Sequence, residues 1–405
     1  MSVPPPTTPA PTPPTTRTRT RAQTIPFHRT ALRDADVDAV VAVLRSGWLT
    51  TGPKTKELER GLAALLGRAD AHCVSSATAA LFLLYKAAGV GPGDEVLVPA
   101  MTFVATAEVA VHLGARPVFV DVDERTLLLD PDDLVRKLTK RSTLVAPVHY
   151  AGQPCDLEPL LEIAADAKLA IVEDAAHCLT GRQGERRPGE GTLGAALSFY
   201  ATKELATGEG GALVSDDPSV LERARRWSLH GISRPAWTRM QVGARAVYDV
   251  EDVGYKMNLP DLNAALGLAQ LPRMEAQRAK REALAWRYDA RLAGAPGITP
   301  LPARAGFTSA HHLYVVRVDR AHAGLDRDEL AAALGERGIG TSVHFVPLPG
   351  LKVFRDLYGT QSADCPNAAR AGTQVLSLPL YPDLEDGDVD EIAGALRAIV
   401  EARAP

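Results

Sequence analysis

The chain has 405 residues, of which 46% are hydrophobic and 23% charged, and its net charge is −4. This composition is typical of a folded protein that is large enough for two domains. The slightly acidic balance gives no reason to expect nucleic acid as a partner. No apolar run approaches the roughly 20 residues that a membrane span needs, so we expect no membrane partner.

Two further features concern cysteines and the N-terminus. The four cysteines show neither CxxC pairing nor the spacing of zinc ligands, so we expect reduced thiols in a cytoplasmic protein and no metal site. Residues 1–25 are mostly Pro and Thr, with no apolar core of a secretory signal. They are predicted to form a disordered tail, and a partner-binding role for it is the alternative.

From residue 31 the chain alternates between helix and strand patterns. Helices are expected over residues 31–44 and 54–66, and later over 77–88 and 103–113. The strands between helices are almost continuously apolar, which predicts an α/β fold with a mixed, mostly parallel sheet covered on both faces. The short Gly-rich link between the last two strands permits one antiparallel pair. The seven predicted strands cover residues 72–74, 95–98, 117–120, 143–148, 169–172, 196–200 and 212–214.

A smaller C-terminal α/β domain is predicted to follow. Residues 261–292 read as a long helix broken at Pro272, which links the two domains. We place the large domain at residues 26–270 and the small domain at 271–405. The expected elements of the small domain are strands 313–318 and 340–345 and helices 326–335 and 388–402.

Two charged residues at strand ends carry the chemistry. Asp174 closes an apolar strand, and Lys203 follows another strand just before a Gly-rich turn. Pyridoxal phosphate (PLP) enzymes need a lysine amine for the Schiff base and a carboxylate facing the pyridinium nitrogen. Taken alone, Lys203 reads as a surface charge and Asp174 as a helix cap. Their order and context together favour a PLP site.

Other parts of such a site can be placed in the same way. Segment 75–81 follows a strand and opens a helix with small residues, as a phosphate site requires, and Ser198 offers a further hydroxyl. Phe103 is a candidate to stack on the ring, and His177 is a candidate to reach its phenolic oxygen. The alternatives are an ordinary helix cap, core packing and a structural histidine.

These residues, and motifs spread over the whole chain from about Phe27, resemble the DegT/StrS-type sugar aminotransferases. That family has the type I fold of PLP enzymes, in the aspartate aminotransferase superfamily. The motifs that carry the resemblance lie at residues 48–53, 93–103, 147–153, 173–177, 198–203, 254–262, 344–348 and 376–382.

The resemblance implies a role for each of nine residues. Lys203 would be the Schiff-base lysine and Asp174 the partner of the pyridinium nitrogen, with Phe103 on the ring and His177 near the phenolic oxygen. It also implies a homodimer with its active sites at the interface. The phosphate would be bound by Ala77, Thr78 and Ser198, and by Lys256 and Asn258 of the neighbouring subunit.

Four positions depart from the usual pattern of that family. The family often has Gly at the position of Ala77 and Gln at that of His177. Its common Asn is Lys256 here, with Asn258 two residues later, and a frequent second His is replaced by Pro349. These departures bear on the phosphate ligand from the neighbouring subunit and on the contacts to the sugar.

For substrates, the resemblance implies a nucleotide-linked keto-sugar and L-glutamate as amino donor. The 256–258 variant and segment 230–239, which includes Trp237, are most similar to members that aminate C4 of an NDP-4-keto-6-deoxyhexose. C3 amination of an NDP-3-keto-sugar is the closest alternative, and cyclitol amination is more distant. PLP-dependent sugar dehydration would need His in place of Lys203, and a non-enzymatic sensor would not need a complete site.

Overall fold

The computed structural model describes residues 24–232 and 247–404. The tail predicted over residues 1–25 lies almost wholly outside the described residues. Most of segment 230–239, including Trp237, lies outside them as well.

A seven-stranded sheet forms the centre of the molecule, in the order β1-β8-β7-β5-β4-β2-β3. All neighbouring strands pair in parallel except β8, which is antiparallel to both β1 and β7. The expectation of a mixed, mostly parallel sheet with a Gly-linked antiparallel pair is therefore confirmed, whereas the second antiparallel pair, between β1 and β8, was not predicted. The strands are β1 (Asp70–Val74), β2 (Glu95–Pro99), β3 (Arg116–Val120), β4 (Ser142–Val145), β5 (Ala170–Asp174), β7 (Gly194–Ser198) and β8 (Gly211–Ser215).

Both faces of this sheet are buried, which explains why its strands lack a polar face. Along β1, Cys73 packs into one core and Val74 into the other; Val214 and Leu213 of β8 divide in the same way. Alternate side chains of a strand point to opposite faces, so helices cover both. The helices of this part are α1 (Asp34–Ser46), α2 (Pro53–Leu66), α3 (Ala77–Ala87), α4 (Ala105–His112), α5 (Pro131–Lys137), α6 (Leu157–Ala167), α7 (Pro218–Trp227) and α8 (Asp261–Gln270).

A separate core lies in the C-terminal part of the chain. It surrounds an antiparallel sheet of order β12-β11-β9, and Ile25 also packs into it. The long helical stretch is interrupted at Pro272, which lies in the 3₁₀ turn Leu271–Arg273. The remaining elements are α9 (Met274–Leu292), α10 (Arg320–Ala323), α11 (Arg327–Glu336), α12 (Lys352–Tyr358), α13 (Pro366–Gln374), α14 (Asp386–Glu401), β6 (Arg182–Gln183), β9 (Ile298–Pro300), β10 (Phe307–Thr308), β11 (Tyr314–Val318) and β12 (Val375–Leu378).

The strand predicted over residues 340–345 is wrong. The segment forms a single bridge, from Ser342 to Ser377, and then leaves the small sheet. It leaves because His344 and Phe345 line a cavity at the large sheet instead of continuing the pairing. The domain boundaries at 25/26 and 270/271 stay a prediction.

Candidate active site

A cavity of about 530 Å³ opens at the carboxyl ends of the parallel strands. Open α/β sheets bind ligands at this edge because loops and helix starts converge there. Segments from both parts of the molecule line the cavity. Seven of the nine residues proposed from the sequence lie on its wall: Ala77, Thr78, Phe103, Asp174, His177, Ser198 and Lys203.

Asp174 is the buried last residue of β5, and its carboxylate is held in place. Thr106 Oγ1 donates to Asp174 Oδ2 at 2.7 Å, and the Ala176 backbone N–H donates to Oδ1 at 3.1 Å. The Thr102 and Thr106 hydroxyls lie 3.0 Å apart, which extends the network from α4 to the loop before it. The two hydrogen bonds fix the orientation of the Asp174 carboxylate, which lines the cavity.

Lys203 sits in the turn after β7, half-buried in the same wall. Burial lowers the pKa of the Lys203 amine from 10.5 to about 8, against the opposing attraction of Asp174 and Glu204. The turn is clamped from the N-terminal segment, because His28 Nε2 and Thr30 Oγ1 both donate to the Ala201 carbonyl at 3.1 and 2.9 Å. A lysine with this pKa is partly neutral near pH 8, as a nucleophile or base must be.

The start of α3 offers an anion site. Ser76 caps the helix by accepting from the Ala79 N–H, and the first backbone N–H groups of a helix have no intrahelical partner. A Cβ on Gly211 would lie 2.4 Å from the Ser76 carbonyl carbon, so β8 approaches the helix start closely. Ser198, at the end of β7, lines the cavity from this side. A phosphate would be attracted by the positive end of the helix dipole and would accept hydrogen bonds from the free N–H groups.

Three histidines form another part of the wall. The rings of His177 and His312 lie 4.4 Å apart, and His344 lies 6.3 Å from His177. Burial lowers the pKa of all three below 6.5, that of His344 to about 4, and the nearby Lys203 charge adds to this effect. The imidazoles are therefore neutral near pH 7. The Nδ1 atom of His177 is buried without a hydrogen-bond partner among the described residues, as expected of a group that binds a ligand atom.

Phe103 lies between β2 and α4, not within the helix that the sequence predicted to start there. Its side chain is 59% exposed, so the ring is available to a ligand. The centroids of the Phe103 and Phe345 rings lie 6.1 Å apart. The Phe345 ring also stacks on His177, with 5.7 Å between centroids. Aromatic faces thus flank the space above Asp174 and Lys203.

Lys256 and Asn258 do not line the cavity within their own chain. Lys256 is exposed and its amine donates to the Asn258 side chain, which in turn donates to Thr51 Oγ1 at 2.7 Å. The segment docks on the end of β1 through the Ser75 N–H, which donates to the Met257 carbonyl at 2.7 Å. Their proposed role therefore depends on a second subunit.

The site fits PLP by its chemistry. It combines a lysine amine, a fixed carboxylate, a helix start with hydroxyls, and an unpartnered imidazole nitrogen. Sequence reasoning did not assign Thr106, His312, His344 or Phe345. The His311-His312 doublet was an available signal for His312; only the fold brings Thr106, His344 and Phe345 here.

Within residues 24–232 and 247–404, no cluster of three or more potential metal ligands occurs, and no helix has the length and apolarity needed to cross a membrane. The four cysteines are buried and unpaired.

The chain is similar to sugar aminotransferases in both sequence and structure. The family model "DegT/DnrJ/EryC1/StrS aminotransferase family" matches residues 30–397. The spore coat polysaccharide biosynthesis protein SpsC of Bacillus subtilis (strain 168) is 44% identical over 379 residues, which is 93% of this chain and 97% of SpsC.

Solved structures agree in fold over almost the whole chain. The PMP form of the putative sugar aminotransferase Spr1654 from Streptococcus pneumoniae has a TM-score of 0.88 and 35% identity, covering 93% of this chain and 99% of that one. Its PLP form has a TM-score of 0.87 and 34% identity, covering 94% and 100%. DesI, solved in the presence of its TDP-sugar product, has a TM-score of 0.83 and 30% identity, covering 93% of each chain.

Proposed function

We propose, because this chain belongs to the DegT/DnrJ/EryC1/StrS aminotransferase family, that it transfers an amino group from L-glutamate to C4 of an NDP-4-keto-6-deoxyhexose. The chain is a sugar aminotransferase of nucleotide-sugar biosynthesis, and pyridoxal phosphate is its cofactor. The observation that carries the proposal is that Lys203 and Asp174 line one cavity with a free helix start.

Bound PLP supplies an aldehyde that primary amines capture and a ring that withdraws electrons from the adjoining carbon. Asp174 would hold a proton on the ring nitrogen through its fixed carboxylate. Lys203 would anchor the cofactor. Once displaced by the donor amine, it would carry a proton between the substrate carbon that bears the amine and the carbon of the cofactor's aldehyde group. Its pKa of about 8 suits both tasks, because the amine can accept and return a proton near neutral pH.

The remaining contacts follow from the wall of the cavity. The start of α3 at Ala77 and Thr78, with Ser198, would hold the phosphate. Phe103 would stack on the ring, and His177 would offer its unpartnered nitrogen to the phenolic oxygen. The three histidines are neutral, so they do not attract the phosphate by charge. The helix start is therefore the part of the wall that binds it.

The choice of C4 is supported by the Lys256-Met257-Asn258 variant, which resembles family members that aminate C4. An NDP-3-keto-sugar aminated at C3 is the alternative. NMR of the product formed from each keto-sugar separates the two, because the carbon that bears the new amine shifts characteristically. Turnover of the 3-keto-sugar alone would replace the C4 assignment with C3.

The enzyme is proposed to be a cytoplasmic homodimer with its sites at the interface. Exposed apolar side chains at Phe103 and Tyr200 lie on the wall of the cavity, and Val247 and Val253 add further exposed apolar surface. Such side chains commonly mark interaction surfaces. The unpaired cysteines support a reducing compartment.

The donor half-reaction is tested by the visible absorption of the PLP-loaded protein before and after L-glutamate is added. We expect the band of the lysine-bound cofactor to bleach. Lys203→Ala should lose both the covalent link and the bleaching, while Lys352→Ala, an exposed lysine on α12, should keep both. A band that persists in the wild type would exclude glutamate as donor, and bleaching in Lys203→Ala would remove Lys203 from its role.

A further inference from the structure

A second cavity, of about 250 Å³, lies between α9 and the segment that carries β10 and β11. It is separated from the first by two hydrogen-bonded segments. The Leu313 N–H donates to the Ala151 carbonyl at 3.2 Å, and the Ala310 N–H donates to the Gly152 carbonyl at 2.9 Å. His311 lines the second cavity whereas His312 lines the first, so this wall divides two distinct spaces.

Polar groups of both kinds face the second cavity. Gln153 Nε2 is a buried donor with no hydrogen-bond partner among the described residues. The Arg304 guanidinium lies 3.6 Å from the Phe307 ring centroid, and Nη1 donates to the Pro154 carbonyl at 2.6 Å. Asp289 supplies an acceptor, because only its Oδ1 receives the Tyr314 hydroxyl, at 2.7 Å. Donors and acceptors thus face one small space.

The charged groups of this cavity are of both signs. Arg278 Nη1 donates to Glu282 Oε2 at 3.2 Å, and Glu282, Asp289 and Arg304 all line the cavity. Burial raises the pKa of Asp289 and lowers that of His311 to about 4, so both effects reduce the local charge. A strongly charged ligand of either sign would therefore meet a charge of its own sign on the wall. Trp286, at 62% exposure, adds an open aromatic face on the rim.

We propose that this second cavity binds a neutral monosaccharide ring. Sugar hydroxyls both donate and accept, which matches Asp289, Gln153 and Arg304, and the apolar face of a sugar ring can pack on Trp286. The volume is below the roughly 300–1,000 Å³ of most ligand sites, which favours a single ring. The site is independent of the reaction proposed for the first cavity.

Saturation-transfer difference NMR with methyl α-D-glucopyranoside tests this site in the PLP-loaded enzyme. The probe has neither an amine nor a free aldehyde, so it cannot react with the cofactor or with Lys203. We expect transfer to the ring protons in the wild type, reduced at least about fivefold in Trp286→Ala and in Asp289→Asn. Leu357→Ala, an exposed apolar residue on α12, is the matched control and should behave as the wild type.

No transfer in the wild type, undiminished transfer in either cavity variant, or loss in Leu357→Ala would overturn the proposal. Bleaching by L-glutamate is measured on the same proteins and should be unchanged in all three variants. Failure of the sugar site thus leaves the donor half-reaction intact, and failure of the half-reaction leaves the NMR result interpretable.

Discussion

At the scale of single residues, the Lys203 amine sets a pH dependence. Its pKa is lowered by burial to about 8, and only the neutral amine can attack an aldehyde. In cofactor-free protein mixed with PLP, the rate of covalent capture should rise about tenfold per pH unit below pH 8 and level off above it. Stopped-flow absorbance gives this profile. A rate still rising steeply above pH 9 would mean that the amine keeps an ordinary pKa.

Asp174→Asn supplies the control for that profile. The Asp174 carboxylate raises the pKa of Lys203, so its loss should move the midpoint of the capture profile to lower pH. The same variant should stay folded but lose most transamination, because an amide cannot hold a proton on the ring nitrogen as a carboxylate does. An unmoved midpoint would show that the two groups do not interact.

Some residues of the site could be predicted from the sequence and others could not. Asp174 and Lys203 were predicted because each lies at or shortly after the end of a strand pattern, and strand ends converge in any parallel sheet. Thr106, which donates to Asp174, was missed because nothing in one sequence says which carboxylate a helix hydroxyl reaches. His344 and Phe345 lie far from Asp174 and Lys203 in the sequence, and only tertiary packing brings them to the same cavity.

At the scale of elements, apolar continuity predicted all seven strands of the large sheet, and the proline itself predicted the break at Pro272. Their boundaries shift by a few residues because hydrogen bonding, not composition, ends a strand. The strand predicted over 340–345 fails for a related reason. Its apolar and β-branched residues resemble a strand, but pairing stops at Ser342, and His344 and Phe345 line the cavity.

Asp261, in the first turn of α8, caps the start of α2 across the chain. Its buried carboxylate accepts from the N–H groups of Gly52, Lys54 and Thr55 and from the Thr55 hydroxyl, at 2.7 to 3.1 Å. Asp261→Ala leaves the buried Gly52 and Thr55 N–H groups without their acceptor, so urea denaturation should show a loss of about 3 kcal/mol in the free energy of unfolding.

Asp217→Ala is the control for that effect, because Asp217 caps α7 through the Ser219 N–H and is exposed, whereas Asp261 is buried. Asp217→Ala should lose clearly less free energy of unfolding than Asp261→Ala. Equal losses in the two variants would mean that the buried contacts of Asp261 add nothing beyond an ordinary helix cap.

At the scale of the whole molecule, one chain leaves its site open. Phe103 and Tyr200 are exposed on the cavity wall, and the exposed Lys256 does not reach its own cavity. A symmetric dimer would place the same surface of both subunits together. The proposed phosphate contact from Lys256 would then come from the neighbouring subunit, and each site would need both chains.

Mixing two inactive variants tests this arrangement. Lys203→Ala and Lys256→Ala should each have little activity alone, and in a hybrid dimer one site carries both substitutions while the other carries neither. Refolding the two together in equal amounts should therefore restore about a quarter of wild-type activity, since half of the dimers are hybrids with one intact site each. Sedimentation checks that dimers form. If Lys256 acted within its own chain, or only on stability, every site would keep one defect and mixing would restore nothing.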